Sequence, residues 1–395
     1  MPYTATGLTR NRRQPWQVLT AGICALILSV GLSRFAYTPL LPVMRAEAGL
    51  SHLAGGWLAT FNYIGYIAGA VLAVYTKDLQ RKFIYYRMGL VLALLSTAGM
   101  GLTQSIPLWA VLRWIGGLSS TAGMLLASGL VLNWRIRQQL RPELGLHFAG
   151  VGLGIVVSGV AAGAMADWLA WNQQWLCLGA LGLVFFIPAW LWLPAPENTP
   201  LAGTEVATDG PDRRWLRLLM ASYFCAGFGY VVSATFIVAI LGKLPLLAGR
   251  GAWVWVLVGV AATPSSFVWD RMARRLGQIP ALALAYALQI ASIVLPAITD
   301  NVALNLLSAL LYGGTFVGIV SLTLSLIGRH FPHNPAKAMA RLTLSYGVAQ
   351  IAAPAMSGMI ATATGSYQGA LWVAAVTLGG GLLLLGTMHA LERKK

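Results

Sequence analysis

Two arginines interrupt apolar sequence. Arg34 stands in "SRFAYTPLLP" (33–42) and Arg113 in "RWIGGLSS" (113–120), each within a long run otherwise free of charge. A charge at the centre of a membrane helix costs about 2.5–3.5 kcal/mol on insertion scales and is usually retained for function. A guanidinium presents a planar fork of donors that matches a carboxylate or another oxyanion. No acid accompanies either arginine. Glu197, Glu205, Asp209 and Asp212 fall in the polar stretch 194–214, Asp78, Glu143, Asp270 and Glu392 near one set of run ends, and Glu47, Asp167 and Asp300 near the other. Two buried cations repel unless an anion or an acceptor group joins them. Two readings follow: an anionic group of a substrate meets them, or they bond helix carbonyls or snorkel to the interface.

Other polar side chains could complete such a site. Tyr37 and Thr38, at i+3 and i+4 from Arg34, share its helix face. Asn62, Tyr63 and Tyr66 lie in the second apolar run, and Tyr346 and Gln350 one helical turn apart in the eleventh. Together they predict a polar pocket with aromatic walls. Arg34 precedes Pro42 by a helical rise of about 12 Å, and Arg113 follows Pro107 by about 9 Å. Similar depth predicts that both reach one central cavity. Protons have two candidate carriers: His147, whose ordinary pKa is roughly 6.5, and Asp167 at the end of the fifth run.

These residues are positioned by apolar segments. The chain has 395 residues, 57% hydrophobic and 10% charged, against about 25% charged in soluble domains. The runs lie at 16–43, 53–76, 83–104, 107–132, 144–167, 175–194, 215–241, 252–269, 279–299, 302–327, 341–364 and 367–389. Each approaches the roughly 20 residues that cross a bilayer as a helix. The expected fold class is an all-α membrane protein of twelve transmembrane helices. The first run is too long for a signal peptide and has no small-residue cleavage site, so it reads as a retained span.

Charge placement sets the orientation. Apart from Arg34, Arg113, Arg45, Lys243 and Arg250, every Lys and Arg lies in one alternating set of loops or at the termini. By the positive-inside rule those loops and both termini are cytoplasmic. A net charge of +16 distributed this way is a topology signal and not a nucleic-acid surface. The stretch 194–214, "PAPENTPLAGTEVATDGPDRR", reads as a cytoplasmic linker between a bundle at 1–193 and another at 215–395. "RWIGGLSSTAG" at 113–123 aligns with "LYGGTFVG" at 311–318, and "FAGVGLG" at 148–154 with "SYGVAQI" at 345–351. Such internal repeats accompany two bundles that rock about a central site.

With these features the chain resembles the major facilitator superfamily over almost its whole length. The loop pattern of that family is matched by Asp270, Arg271, Arg274 and Arg275 in "SSFVWDRMARRLG" (265–277), with Ser266 at the leading glycine. "YTKDLQRKF" (75–83) keeps Asp78, Arg81 and Lys82 but is one residue short. The resemblance implies that these charges gate the cytoplasmic face, with Asp270 latching helix ends together. Arg113 with Gly117 fits the span-four motif, and "GVGLGIVVSGVAAG" (150–163) the glycine-rich span five, without the proline of the antiporter form. Small residues at this spacing equally serve close helix packing. "GLSRFAYTPLLPVM" followed by "GWLATFNYIGYIAGA" (56–70) resembles the YbfB/YjiJ-type subgroup. The resemblance implies two pseudo-symmetric six-helix bundles and a secondary transporter of the bacterial inner membrane.

The expected function is alternating-access transport of a small organic solute, anionic or zwitterionic, with proton linkage and export as the finer expectation; a multidrug or sugar efflux facilitator is the alternative. Membrane lipids and a small-molecule substrate are the expected partners of a monomer, with no nucleic acid. An embedded enzyme would need a nucleophile–base or metal constellation. His52, His330, His333 and His389 are scattered, no HExxH or Walker sequence occurs, and Cys24, Cys177 and Cys225 lie in apolar runs. No cofactor or metal is expected.

Overall fold

The computed structural model describes residues 14–140, 144–197, 213–330 and 335–392, excluding the side chains of residues 335–338 and 340. The central part of the expected linker, the basic residues at 10, 12, 13, 141 and 393–395, and Glu143 and His333 lie outside the described residues.

The described chain forms α1 (Pro15–Glu47), α2 (His52–Tyr75), α3 (Leu79–Leu102), α4 (Ile106–Arg137), α5 (Gly145–Met165), α6 (Trp171–Trp192), α7 (Arg213–Leu241), α8 (Gly251–Ala262 and Ser265–Leu276), α9 (Gln278–Ile298), α10 (Val302–His330), α11 (Pro335–Thr364) and α12 (Gln368–Glu392). Helices are what a bilayer permits, because each backbone N–H and C=O must find its partner within the chain. Among the described residues ten of these helices are long and apolar enough to cross a membrane, or eleven with the bent pair of α8 counted as one span. The helix α11 is 30 residues long but carries Ser345, Tyr346, Gln350 and Ser357 through its length. It is the predicted span that apolarity alone does not mark.

Local chemistry sets the ends. The Ser51 hydroxyl caps α2 by accepting from Ala54 N at 3.0 Å, and the Asp78 carboxylate caps α3 by accepting from Gln80 N at 2.9 Å. Side-chain caps of this type satisfy N–H groups that a helix start leaves free.

Three helices are not the uninterrupted spans expected. In α1 the segment Ile27–Phe35 winds as a wide π turn, and in α4 Ala122–Ala127 does the same. Pro39 explains part of the first: it has no N–H, so carbonyls four and five residues back, Phe35 and Arg34, lose a donor. The third interruption corrects the reading of 252–269 as a span followed by a loop. The chain bends by 42° and continues as helix to Leu276. Pro264 at the bend cannot donate to the preceding turn, and the motif residues Asp270 to Arg275 are helical.

Buried apolar side chains form two clusters, one chiefly from α1–α6 and the other chiefly from α7–α12. The two groups meet where α1 packs on α7, α2 on α11 and α5 on α8. The last contact is a backbone seam. A Cβ at Gly152 would stand 2.4 Å from Thr263 N, and one at Gly259 would stand 2.6 Å from Val156 N. Glycine permits this approach because no side chain separates the backbones, as at other close membrane-helix contacts.

Candidate functional site

A cavity of about 360 Å³ lies between the two groups of helices, walled by Arg34, Tyr66, Tyr223, Tyr230, Phe316 and Tyr346 at its deep end. From there its lining follows Ser128 of α4, Val320 and Leu324 of α10 and Thr343 of α11 toward the end of the molecule that carries Arg135, Arg274 and Arg329. At the opposite end the halves are tied together. The Thr38 hydroxyl donates to Ala234 O at 2.5 Å, Thr60 to Ile351 O at 2.9 Å, and Trp255 Nε1 to Ser158 Oγ at 3.3 Å, while His52 Nδ1 stands 2.9 Å from the Tyr367 hydroxyl. Phe35 meets Trp255 edge-on, ring centroids 5.9 Å apart. The cavity is sealed on that side, with Arg34 at its floor.

The π turn of α1 delivers Arg34 to this floor. Its guanidinium carbon stands 4.5 Å from the Tyr63 ring centroid, 4.6 Å from that of Tyr66 and 5.5 Å from that of Phe35. Aromatic faces attract a desolvated guanidinium by about 2 kcal/mol and leave its charge uncompensated. Arg34 is 6% exposed and its Nε has no hydrogen-bond partner. Among the described residues no carboxylate pairs with it.

Arg113 does not line the cavity of about 360 Å³. Its Nη1 donates to Ser33 O at 3.1 Å and Arg34 O at 3.3 Å, and its Nη2 to Arg34 O at 3.3 Å. The carbonyl that Pro39 leaves without a donor in the wide turn is thus taken by Arg113. The guanidinium also covers the Tyr37 ring, 4.4 Å from its centroid. Arg113 and Arg34 both line a small neighbouring space of about 10 Å³, with Tyr37, Thr38, Asn62 and Tyr63. These partners are engaged elsewhere: the Tyr37 hydroxyl donates to Gly55 O at 2.9 Å, Thr38 to α7, and Asn62 Nδ2 to Arg113 O at 2.8 Å. Of the sequence candidates, Arg34, Tyr66, Tyr346 and Gln350 line the large cavity directly. Gln350 is 2% exposed and its Oε1 has no partner.

The opposite wall was not read from the sequence. Tyr223 and Tyr230 of α7 stack with Tyr346, and Tyr230 stacks in turn with Tyr312 and Phe316 of α10. Tyr223 and Tyr346 have centroids 4.5 Å apart, and Tyr230 lies 5.4 Å from Phe316 and 5.8 Å from Tyr346, all with rings within 30° of parallel. The signal available was spacing: 223 and 230 are two turns apart, and 312 and 316 one turn apart, so each pair shares a helix face.

The remaining candidates lie apart from the cavity floor. His147 is fully buried behind Ser128, with Nε2 2.8 Å from the Ser128 hydroxyl. Asp167 is exposed in the turn between α5 and α6. The gating charges pair locally. Asp270 bonds Arg274 one turn along its own helix, and Asp78 stands 3.8 Å from Arg81, with these side chains about half exposed or more. Arg271 and Arg275 are exposed. Among the described residues Asp270 pairs with no other helix; the helical continuation of α8 puts Arg274 within its reach first. Among the described residues no cluster of metal-ligating side chains occurs.

Comparison with known proteins follows from this geometry. Residues 26–385 match the family described as uncharacterised MFS-type transporter YbfB. A cis,cis-muconate transport protein of Acinetobacter baylyi is 23% identical over 197 residues, a match that spans 47% of this chain and 46% of that protein, about half of each. Two crystal structures of the nucleoside transporter NupG share the fold. A point mutant superposes with a TM-score of 0.74 at 10% identity, covering 94% of this chain and 99% of that one. The other gives 0.70 at 12% identity, covering 96% and 99%.

Proposed function

The chain belongs to the YbfB-type transporters of the major facilitator superfamily, and we propose that it moves a small organic anion across the membrane by alternating access, with Arg34 as the recognising cation. The observation that carries this reading is the state of Arg34. It is buried, unpaired by any described carboxylate, and set on aromatic faces at the floor of a cavity of about 360 Å³. Holding an isolated charge in such a place is costly, and an incoming carboxylate supplies the missing partner through charge-assisted hydrogen bonds. The near-parallel rings opposite suit a flat, unsaturated carbon skeleton. A relative named for transport of muconate, itself a carboxylate, supports the same class of cargo.

The positive-inside rule supports reading the arginine-rich end and both termini as cytoplasmic, in a bacterial inner membrane. On that assignment the cavity faces inward and the tied end faces outward. The six-helix groups 1–193 and 215–395 then rock about Arg34, joined by 194–214. With no carboxylate among the cavity-lining residues, proton linkage falls to a histidine or to the substrate itself.

The test is ligand-induced stabilisation of the purified protein. A flat carboxylate such as muconate should raise the melting temperature of wild type, Arg34→Lys should retain a reduced shift because the planar fork is lost, and Arg34→Gln should show none. A folded Arg34→Gln protein stabilised like wild type by the same carboxylate sinks the proposal. Stabilisation by organic cations alone would favour the multidrug reading instead.

A further inference from the structure

At the tied end, three side chains from separate elements form a row. Arg45, in the last turn of α1, reaches His52 at the start of α2, with Nη2 2.5 Å from Nε2. On its other side His52 Nδ1 stands 2.9 Å from the hydroxyl of Tyr367, in the turn between α11 and α12. Tyr367 is 2% exposed and stacks on Phe236 of α7, ring centroids 4.4 Å apart. The row thus joins α1 and α2 to the C-terminal helices.

Hydrogen-bond chemistry fixes the protonation that this row requires. A guanidinium has donors only, so Nε2 must be the bare nitrogen that accepts from Arg45. The imidazole is then neutral, and its Nδ1–H donates to the Tyr367 oxygen. A second proton, on Nε2, sets N–H against N–H and places two cations in contact. Nothing nearby compensates. Lys243, in the turn after α7, adds a further positive charge, its Nζ donating to Gly365 O at 3.3 Å, two residues from Tyr367. Glu47 shares the last turn of α1 but faces α6, where its Oε2 accepts from Trp171 N at 2.8 Å. Among the described residues no carboxylate pairs with His52. Protons have a route: Arg45 and Lys243 both line a second cavity, of about 400 Å³, at this end.

We propose that His52 is a proton-binding site that unlocks this end: uptake of a proton on Nε2 expels Arg45 by like-charge repulsion, frees Tyr367 and favours opening. The proton comes from solvent on that side and returns there when the row re-forms. Only the identity of that side as the exterior rests on the orientation proposed above; the site is independent of what Arg34 binds.

Double electron–electron resonance in detergent tests it without substrate or sidedness. In a background with Cys24, Cys177 and Cys225 changed to Ser, spin labels go on Ala46→Cys and Ala363→Cys. A histidine released to solvent passes from about 3% to about 97% protonated between about pH 8 and pH 5, whereas the closed row, with its half-buried ring against Arg45, resists that proton, so the open-to-closed ratio should rise as the pH falls. His52→Gln, which can accept from Arg45 and donate to Tyr367 without titrating, should stay closed at both pH values. His52→Lys should be open at both. Identical wild-type distances at the two pH values overturn the proposal without any variant at His52. So does a pH response retained in His52→Gln, or a closed His52→Lys at pH 8. Failure of carboxylate binding at Arg34 leaves each of these outcomes unchanged.

Discussion

Changing Arg113 to Gln separates the two buried arginines by function. Arg113 makes three contacts of 3.1–3.3 Å to the carbonyls of Ser33 and Arg34 and covers the Tyr37 ring. Glutamine is too short to reach those carbonyls. Each carbonyl left without a donor in this dry interior costs about 1–3 kcal/mol, and the lost cation–π contact about 2 kcal/mol. Release of the guanidinium from burial offsets part of this, so the net loss should be about 3–5 kcal/mol, the usual effect of removing one partner from a buried charged contact. The assay is thermal unfolding of the purified variant by circular dichroism, beside Arg34→Gln in the same detergent. Arg113→Gln should melt well below wild type, and the fraction still folded should retain a carboxylate-induced shift. Arg34→Gln should melt near wild type with no shift. The reasoning fails if Arg113→Gln is as stable as wild type and has lost carboxylate binding, because Arg113 would then be a ligand contact and not the strut of the wide turn.

Adding a methyl at the α5–α8 seam, as Gly152→Ala, places an atom 2.4 Å from Thr263 N; uptake or efflux in proteoliposomes should fall sharply, and wild-type rates would show that the seam is not needed for movement. Asp270→Asn removes an exposed pair within one helix, and such pairs contribute about 0–1 kcal/mol. Its melting temperature should match wild type, with a clear drop revealing a partner on another helix. Orientation is checked with single cysteines: Gly249→Cys should react with an impermeant maleimide in intact cells and Gln139→Cys only after lysis, the reverse pattern inverting the topology.

Much of this arrangement was legible because it depends on pattern. Apolar run lengths located the helices, arginine placement distinguished the two ends, and Arg34, the lone charge of its run, lies at the cavity floor. What was not legible depends on backbone geometry. Arg113 looks like Arg34 in sequence, but its role follows from a carbonyl freed by the π turn and Pro39, which helical periodicity does not express. Tyr223 and Tyr230 sit in a run where a tyrosine serves packing as readily as a cavity wall, and only the approach of α10 and α11 decides between these. The family motif around Asp270 predicted an interhelical contact. Continuation of α8 past Pro264 instead offered Arg274 one turn away.

The seam between α5 and α8 has a consequence for pharmacology. Where backbone lies on backbone, no side chain would have to change rotamer in the proposed rocking of the halves, and little empty space exists to be filled from the aqueous cavity. Its rim is exposed on the outer surface of the helix bundle at Trp253. A Cβ at Gly163, one turn beyond Gly159, would stand 3.1 Å from the ring of Trp253, which is itself 51% exposed. A hydrophobic compound that partitions into the bilayer and wedges a few atoms beside Trp253 would stop turnover without resembling the cargo. Its inhibition would be noncompetitive, insensitive to Arg34, and set by bilayer partitioning more than by charge.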